Sequence, residues 1–294
     1  MRSLIFLNFL RIRQWYKNVI IFLPLIFAPN FLSVENIILI TLGFFSLCLV
    51  LSASYVRNDI NDIEADKIHP KKKLRALPSG LITTKQAYLM YIALIVTGFS
   101  LSFSLSVYFG ILMVLLYGIT EIYSKWLKNI IILDVFMIGL NFIIRSVLGI
   151  ILLQSTISPW IIMGVFFVAL MLGFMKRQGE LRSLGEDAGR HRKTLQEYTK
   201  SSLNSMLIIS AMLILTTYSF YSLEGPHGDW RLILTVPIVV FVILRQLHLS
   251  SINSPIIQEN EILKDKSSTF GLLAYIIITF YLIYLAPSHW FLGI

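Results

Sequence analysis

The chain has 294 residues, of which 56% are apolar and 14% are charged, and its mean hydropathy is +0.75. The apolar residues lie in long blocks rather than in amphipathic stripes, which excludes a soluble globular domain and indicates a polytopic membrane protein. The net charge of +9 is concentrated in a few loops, and because membrane sidedness explains that placement, we expect no nucleic-acid binding.

Nine membrane-spanning helices are predicted from the apolar blocks, which makes the fold all-α. They lie at about residues 18–34 and 36–56, twice within 86–123 with a division near Ser104–Tyr108, and at about 130–153, 157–175, 203–222, 231–250 and 270–288. The basic, aromatic segment that ends at Asn18 is typical of an interfacial helix. The single cysteine, Cys48, lies in the second span, so we expect neither a disulfide nor a thiol metal site.

The placement of the positive charges gives the orientation of the spans. With the N-terminus inside, the loops at about 57–85, 124–129, 176–202 and 251–268 are cytoplasmic and hold nearly all Lys and Arg, whereas the opposite loops have none before Arg231. We therefore predict one multi-pass domain over residues 1–294 in the cytoplasmic (inner) membrane. The long loops are confined to the inner face, so the active site is expected to open to the cytoplasm.

The first cytoplasmic loop begins with regularly spaced polar side chains. Asn58, Asp62 and Asp66 are four residues apart, and Asp59 lies three before Asp62, so a continuing helix would place these groups on one stripe. Such carboxylates repel each other unless a cation lies among them, and oxygen ligands suit Mg²⁺, which also binds the phosphates of a substrate. We predict that Asn58, Asp62 and Asp66 hold Mg²⁺ and that Asp59 completes the catalytic group.

A basic run follows this acidic motif and could neutralise the same phosphates. It contains Lys67, Lys71, Lys72, Lys73 and Arg75, of which we take Lys72 and Arg75 as candidate substrate-binding residues. The alternative is a solvated loop that carries only the topology signal.

The second cytoplasmic loop and the span after it contain further candidates. Tyr123 and Lys128 belong to the loop, whereas Asp134 and Arg145 lie within the apolar run, eleven residues apart and therefore on the same helical face. A charge at such depth is costly and normally faces the bundle interior. We consider both charged residues as substrate-binding candidates, and a buried structural ion pair with another helix is the alternative.

Cations dominate the third cytoplasmic loop. They are Lys176, Arg177, Arg182, Arg190, Arg192 and Lys193, beside the carboxylates Glu180, Glu186 and Asp187. Because Arg binds phosphate oxygens in two-point contacts, this segment is predicted to be a second polyanion clamp, with Lys176, Arg177, Glu180 and Arg190 as its candidate residues. Arg245, near the fourth loop, is a further candidate.

The pattern N-D-x-x-D-x-x-x-D at Asn58–Asp66 resembles the first acidic motif of the UbiA superfamily of intramembrane prenyltransferases, and nine helices fit that family. Those proteins usually have a second motif, D-x-x-x-D, between the sixth and seventh helices, which this sequence lacks. The chain instead resembles one branch, the polyprenyl-phosphate phosphoribosyltransferases typified by decaprenyl-phosphate phosphoribosyltransferase. The likeness covers R-x-R-Q-W-x-K-N at Arg11–Asn18, the segment Asn58–Lys72, Y-S-x-x-L-K and L-D-V within Tyr123–Val135, R-x-x-x-G at Arg145–Gly149, and K-R-x-x-E-L at Lys176–Leu181.

The resemblance implies a reaction and its partners. The donor would be 5-phosphoribosyl diphosphate, the acceptor a membrane-embedded polyprenyl phosphate, the cofactor Mg²⁺, and the product polyprenyl-phosphoryl-5-phosphoribose, a lipid-linked pentose precursor for cell-envelope glycans. Arg13, Gln14 and Lys17 of the first matched motif would join the substrate-binding residues. Ile12, where the branch often has Pro, and Arg57, an unusual charge beside the acidic motif, depart from its pattern.

Two rival functions remain open. One is a UbiA-type prenyltransferase that moves a prenyl chain from its diphosphate to an aromatic acceptor; the missing second motif argues against it. The other is a lipid or ion transporter that uses the intramembrane charges, which would be expected to show two matched halves, and the sequence shows no internal repeat. The oligomeric state is left open, a homo-oligomer included.

Overall fold

The computed structural model describes residues 7–27, 33–68, 72–156, 158–185, 189, 192–224, 230–252 and 265–285, and within these ranges all regular structure is helical. The long helices are α1 (Val34–Asn61), α2 (Thr84–Leu105), α3 (Val107–Lys125), α4 (Leu133–Leu153), α5 (Pro159–Leu184), α6 (Lys200–Glu224), α7 (Val236–Ser251) and α8 (Lys266–Phe280). A 3-10 turn at Trp230–Thr235 leads into α7, and a π-helical turn at Tyr281–Leu285 continues α8.

Within the described ranges, eight segments are long and apolar enough to cross a membrane, which confirms the all-α, multi-pass prediction and eight of the predicted spans. The division expected near Ser104–Tyr108 falls at Ser106, whose extended backbone separates α2 from α3. The first predicted span is described only as far as Phe27, as a 3-10 helix at Ile12–Phe22 followed by a short α-helix at Leu23–Phe27. This first span, and with it the count of nine, therefore stays a prediction, as does the single domain.

The described residues divide into two compact units. Unit 1 comprises Met1–Leu25, Asn30–Lys125 and Ile144–Ser155, and unit 2 comprises Ile26–Pro29, Trp126–Ile143 and Thr156–Ile294. In unit 1, α1 packs closely on α2 because Gly98 leaves room: an added Cβ would lie 2.7 Å from Val50 Cγ2. Ser46 Oγ donates a hydrogen bond to the Gly98 carbonyl at 2.8 Å, a small-residue contact typical of helices in membranes.

The N-terminal 3-10 helix of unit 1 lies along α1 and is fixed by polar contacts. Trp15 Nε1 donates to Ser52 Oγ at 3.1 Å, and Ser52 Oγ donates to the Leu10 carbonyl at 2.9 Å. Gly149 allows the same segment to approach α4, because an added Cβ would lie 2.0 Å from the Ile21 carbonyl oxygen. The first matched motif is thereby held against the helix that carries the acidic motif.

Unit 2 is built around α5 and α6, which contribute to a buried apolar cluster together with side chains of α4, α7 and the turn after α5. Its members include Val135, Met171, Phe174, Leu195, Leu203, Leu207 and Ile243. At one end, Arg182 donates to the Ser250 carbonyl and Ser250 Oγ to Gln178, so a cation caps the last turn of α7, where free carbonyls favour one.

Candidate functional site

The acidic motif lies where α1 ends. The helix stops at Asn61, Asp62 forms its C-cap, and a short helix at Ile63–Ile68 follows. The Asp62 and Asp66 backbone N–H groups still donate to the Asn58 and Asp62 carbonyls, at 2.9 and 2.8 Å, so the helical path continues past the cap. Asp62 is nevertheless exposed, whereas Asp66 is buried. The four polar side chains of the motif therefore have different environments.

A single guanidinium bridges two carboxylates of this motif. Arg75 Nη1 lies 2.8 Å from Asp66 Oδ2 and 3.3 Å from Asp59 Oδ1. Arg11 Nη2 donates to the same Asp59 oxygen at 2.6 Å, and Lys72 Nζ lies 3.5 Å from Asp66 Oδ1. Three cations thus neutralise two buried carboxylates, and the predicted candidates Asp59, Asp66, Lys72 and Arg75 form one cluster.

Helix α3 fixes the end of α1 on the other side. Asn58 Nδ2 donates to Ser124 Oγ at 3.0 Å, and Ser54 Oγ donates to Glu121 Oε1 at 2.8 Å. Arg57 Nη1 lies 3.4 Å from Glu121 Oε2. The unusual charge at Arg57 is therefore matched by a buried carboxylate one helix away, and the Asn58 amide is held in a fixed direction.

A cavity of about 190 Å³ opens beside the Arg75 bridge. Its lining combines the charged residues Arg11, Asp59 and Arg75 with apolar ones that include Phe9 and Leu74. A lining of both kinds suits a phosphorylated molecule that also has an apolar part.

The donor atoms of the acidic motif fit Mg²⁺ in chemistry. Asn58, Asp62 and Asp66 offer one amide and two carboxylate groups, and Mg²⁺ typically takes one or two carboxylates and completes its shell with water and substrate phosphate. The Arg75 guanidinium shows that two of the carboxylates in this motif already share a cation. Among the residues that the structure describes, no three His, Cys, Asp or Glu side chains converge, so a metal here would depend on substrate oxygens.

Arg145 lies in a second polar pocket of unit 1. The pocket measures about 10 Å³, room for a single water, and it is lined by Gln14, Asn18, Cys48 and Tyr55 among others. Arg145 is buried, and Asn18 Nδ2 donates to Cys48 Sγ at 3.2 Å. The structure thus brings the candidates Gln14 and Arg145 together.

The remaining candidates of unit 1 are spread over its surface. Arg13 is exposed, Lys17 Nζ lies 5.8 Å from the centre of the Tyr16 ring, and Tyr123 is half-buried in the last turns of α3. These three side chains stay predicted substrate-binding residues.

In unit 2, Asp134 is the centre of a buried polar cluster. Its Oδ2 lies 3.0 Å from Arg177 Nε and 3.1 Å from Arg192 Nη2. Tyr198 OH donates to Oδ1 at 2.8 Å, and Thr194 Oγ1 lies 3.4 Å from Oδ2. Asp134 therefore forms a buried ion pair with a residue of another helix, which is the alternative that the sequence left open.

The backbone before Asp134 is strained and depends on the same cluster. Ile132 has a φ of 66°, a left-handed conformation that is unfavourable for a β-branched residue. Its backbone N–H donates to Tyr198 OH at 2.8 Å. Burial, and next the neighbouring Asp134 charge, raise the pKa of Tyr198 above its ordinary value, so this hydroxyl stays protonated and donates to the carboxylate.

The predicted clamp of the third loop is only partly a free surface. Arg177 is buried and also pairs with Glu180, whereas Lys176 is exposed. Lys128 is half-buried, and its carbonyl accepts from Arg192 Nη2 at 3.1 Å. Arg190 lies outside the described residues.

Arg245 forms a two-point ion pair with Asp265. Its Nη2 and Nε donate to the two carboxylate oxygens at 2.8 and 3.2 Å. Asp265 also caps α8 by accepting from the Ser268 backbone N–H at 2.8 Å. These contacts, the Arg245 hydrogen bond first, hold the pKa of Asp265 well below its usual range. In the described structure Arg245 therefore joins α7 to the start of α8.

Five charged side chains of these clusters are not among the candidates drawn from the sequence. They are Arg11, Arg57, Glu121, Arg192 and Asp265. Glu121 had a sequence signal, since a lone carboxylate inside an apolar span normally has a partner, and Arg11 begins a matched motif. The partnerships of Arg192 and Asp265 depend on tertiary structure.

Comparisons with known proteins agree with this architecture. The family model described as "UbiA prenyltransferase family" matches residues 19–255. Decaprenyl-phosphate phosphoribosyltransferase of Mycobacterium tuberculosis is 26% identical over 240 residues, 80% of each chain. The uncharacterized protein y4nM of Sinorhizobium fredii is 35% identical over 168 residues, 56% of this chain but only 33% of its own length.

A solved structure also has the same fold. It is a UbiA homolog from Archaeoglobus fulgidus bound to GPP and Mg²⁺, which aligns with a TM-score of 0.70 at 16% identity over 95% of this chain and 99% of that chain. With a family model that matches most of the chain and the acidic motif at the end of α1, this multi-pass membrane protein belongs to the UbiA prenyltransferase family.

Proposed function

We propose that the protein transfers 5-phosphoribose from 5-phosphoribosyl diphosphate to a polyprenyl phosphate and releases diphosphate. The observation that carries the proposal is the basic character of the end of α5 and of the segment after it, where other UbiA proteins usually have a second aspartate pair. Here Lys176 and Arg177 lie in α5 and Arg192 follows it, and both arginines contact the buried carboxylate Asp134. A sequence with one acidic motif and one basic segment suits a donor that carries a 5-phosphate as well as a diphosphate.

The acidic motif would bind the diphosphate of the donor through Mg²⁺. Asn58, Asp62 and Asp66 are the proposed ligands, with Asp62 exposed and therefore accessible. Bound Mg²⁺ would stabilise the negative charge that develops on the leaving diphosphate. Arg75 and Lys72, which both contact Asp66, would bind the outer phosphate oxygens.

Other predicted residues would bind the remaining phosphates. Lys17 and the exposed Lys176 can each reach an anion in solvent as point charges. Gln14 and Arg145 supply a buried polar patch beside the N-terminal segment. The apolar chain of the acceptor would contact lipid-facing side chains, which lose nothing by doing so.

The chemistry requires few protein groups. An oxygen of the acceptor phosphate supplies the electron pair for a new bond to C1 of the ribose, while the bond from C1 to the diphosphate oxygen breaks and its pair leaves with diphosphate. The acceptor is already an anion at neutral pH, so no strong general base is needed. The protein therefore acts by positioning the two anions and by stabilising charge on the leaving group. We place this site at the cytoplasmic face, where the water-soluble donor is present.

The test uses membranes that contain the protein, Mg²⁺, radiolabelled 5-phosphoribosyl diphosphate and a polyprenyl phosphate. We expect label to enter the organic phase, EDTA to stop the transfer, and membranes without the protein to give none. Activity that persists with EDTA would refute the metal assignment, and a complete lack of transfer with several chain lengths would refute the donor.

An alternative function is the transfer of a prenyl group from its diphosphate to an aromatic acceptor. It is favoured by the fold shared with a UbiA homolog that was solved with GPP and Mg²⁺. The same membranes supplied with a labelled prenyl diphosphate and 4-hydroxybenzoate separate the two functions. Consumption of the prenyl diphosphate without phosphoribosyl transfer would establish the alternative.

A further inference from the structure

The acidic motif of unit 1 contains more positive than negative charge at its buried end. Asp59 and Asp66 are both buried, and they are contacted by Arg11, Lys72 and Arg75. The bridging atom is one nitrogen, Arg75 Nη1, which contacts an oxygen of each carboxylate. A cation in this position neutralises the two carboxylates, as a bound metal ion would.

We propose that Arg75 occupies the cation position at Asp66 when no metal is bound, and that it moves from Asp66 to the diphosphate when metal and substrate bind together. The inference rests on the proposed metal–diphosphate site and adds an exchange between two cations. With Arg75 on Asp66 Oδ2 at 2.8 Å, a Mg²⁺ ion on the same carboxylate would lie within a few ångströms of a second cation, and their repulsion favours the exchange.

The surroundings of the two arginines explain why Arg75 rather than Arg11 would move. Arg11 lies 2.6 Å from Asp59 and also 4.8 Å from the centre of the Tyr55 ring, so two partners hold it. Both arginines line the cavity of about 190 Å³, but the Arg75 side chain is 37% exposed against 28% for Arg11. Arg75 can therefore leave Asp66 without entering the protein core, and Arg11 remains to neutralise Asp59.

The charge of the cluster makes this exchange depend on an anion. With Asp62 included, three carboxylates match the charge of Arg11, Lys72 and Arg75, so a divalent cation gains little net attraction from the motif until negative charge arrives with it. Diphosphate supplies that charge and also gives the displaced Arg75 a two-point partner. Metal and diphosphate should therefore bind cooperatively, and by linkage each should strengthen the other by the same factor.

The experiment measures binding by the full chain in detergent, without turnover. Mn²⁺, detected by its electron paramagnetic resonance signal, replaces Mg²⁺, and inorganic diphosphate replaces the donor. For the wild type we expect diphosphate to lower the Mn²⁺ dissociation constant of the protein by about tenfold or more, after correction for Mn²⁺–diphosphate in solution. A dissociation constant unchanged by diphosphate would overturn the proposal.

Two variants that remove the same charge sharpen the test. Arg75→Gln should bind Mn²⁺ alone about tenfold more tightly than the wild type, and most of the cooperativity with diphosphate should disappear. Lys73→Gln removes a cation two residues earlier, from an exposed side chain with no ion pair among the described contacts, and should behave like the wild type. If Arg75→Gln binds Mn²⁺ no more tightly than Lys73→Gln, the exchange does not occur.

Two further measurements keep the inference testable if Arg75→Gln does not fold. The wild-type cooperativity needs no variant, and Arg75→Lys retains the charge but not the fork that bridges two carboxylates, so its Mn²⁺ affinity should lie between those of the wild type and Arg75→Gln. Phosphoribosyl transfer without cooperative binding of Mn²⁺ and diphosphate would refute this inference and support the proposed function. Cooperativity without phosphoribosyl transfer would keep the exchange and remove only the identity of the donor.

Discussion

The substitution Asp134→Asn tests whether this carboxylate holds the fold together or contacts substrate. Asp134 is fully buried, with Arg177 Nε at 3.0 Å and Arg192 Nη2 at 3.1 Å from Oδ2. The variant keeps the size of the side chain and removes its charge. Arg177, which is only 2% exposed, would then stay buried with one carboxylate fewer, so we expect the folded state to lose stability.

The magnitude follows from what remains around the two arginines. Removing one partner of a buried ion pair costs about 3–5 kcal/mol. Arg177 keeps its contact with Glu180, and Arg192, whose side chain is 21% exposed, can regain water, so we take about 3 kcal/mol, the lower end. At about 2–4 °C per kcal/mol for a chain of this size, the midpoint of thermal unfolding should fall by about 6–12 °C.

The assay heats detergent-solubilised protein and measures the fraction that remains monodisperse on size exclusion. The matched control is Asp62→Asn, the same chemical change at an exposed carboxylate that has no ion pair in the described part of the chain. It should change the free energy of unfolding by less than about 0.5 kcal/mol and abolish turnover, because Asp62 is a proposed metal ligand. An Asp134→Asn variant that melts with the wild type but has a raised KM for the donor would refute our reasoning.

Two other predictions concern single contacts. Because the pKa of Asp265 is lowered in the folded state, its pairing with Arg245 stabilises the fold above the unfolded carboxyl's pKa of about 3.9. We would compare the free energies of unfolding of the wild type and Asp265→Asn by denaturation from pH 8 to 3. The difference should be constant down to about pH 5 and shrink below pH 4. A difference that grows on acidification would contradict this. Gly149→Ala should destabilise the protein by about 3 kcal/mol or more, because its Cβ would meet the Ile21 carbonyl oxygen. The control Gly118→Ala, with open space around it, should raise the melting temperature slightly at most. Equal melting temperatures for the two variants would show that the close approach of Gly149 to Ile21 is not maintained.

Most of the fold could be predicted from the sequence because a membrane span has a simple physical requirement. About twenty consecutive apolar residues without charge are typical of a membrane-spanning helix. The position of the break at Ser106 followed from the same length argument. The 3-10 conformation of Ile12–Phe22 could not be predicted, because it depends on hydrogen bonds from Trp15 and Ser52 across to another helix.

The candidate site was predictable in composition but not in pairing. The spacing of Asn58, Asp62 and Asp66 indicated a common role, yet helix periodicity does not show that the helix ends at Asp62 and leaves it exposed. Arg75 was a candidate because it follows a basic run, but its bridge to Asp59 joins residues sixteen positions apart. Local pattern identifies which residues carry chemistry, whereas the choice of partner is a tertiary property.

Asp59 of unit 1 is contacted by Arg11 and Arg75, and Asp134 of unit 2 is contacted by Arg177 and Arg192. These arginines differ in solvent exposure, and we infer different roles from that difference. Arg177 is buried with Asp134, so a phosphate that took the place of this carboxylate would itself have to enter the core without water, at a high desolvation cost. We therefore interpret Arg177 as structural and assign the substrate-binding role of its segment to the exposed Lys176. Arg75 meets the opposite condition, because it can leave Asp66 into an open cavity. We therefore expect Arg75 to exchange at the acidic motif and the buried Arg177 to stay on Asp134.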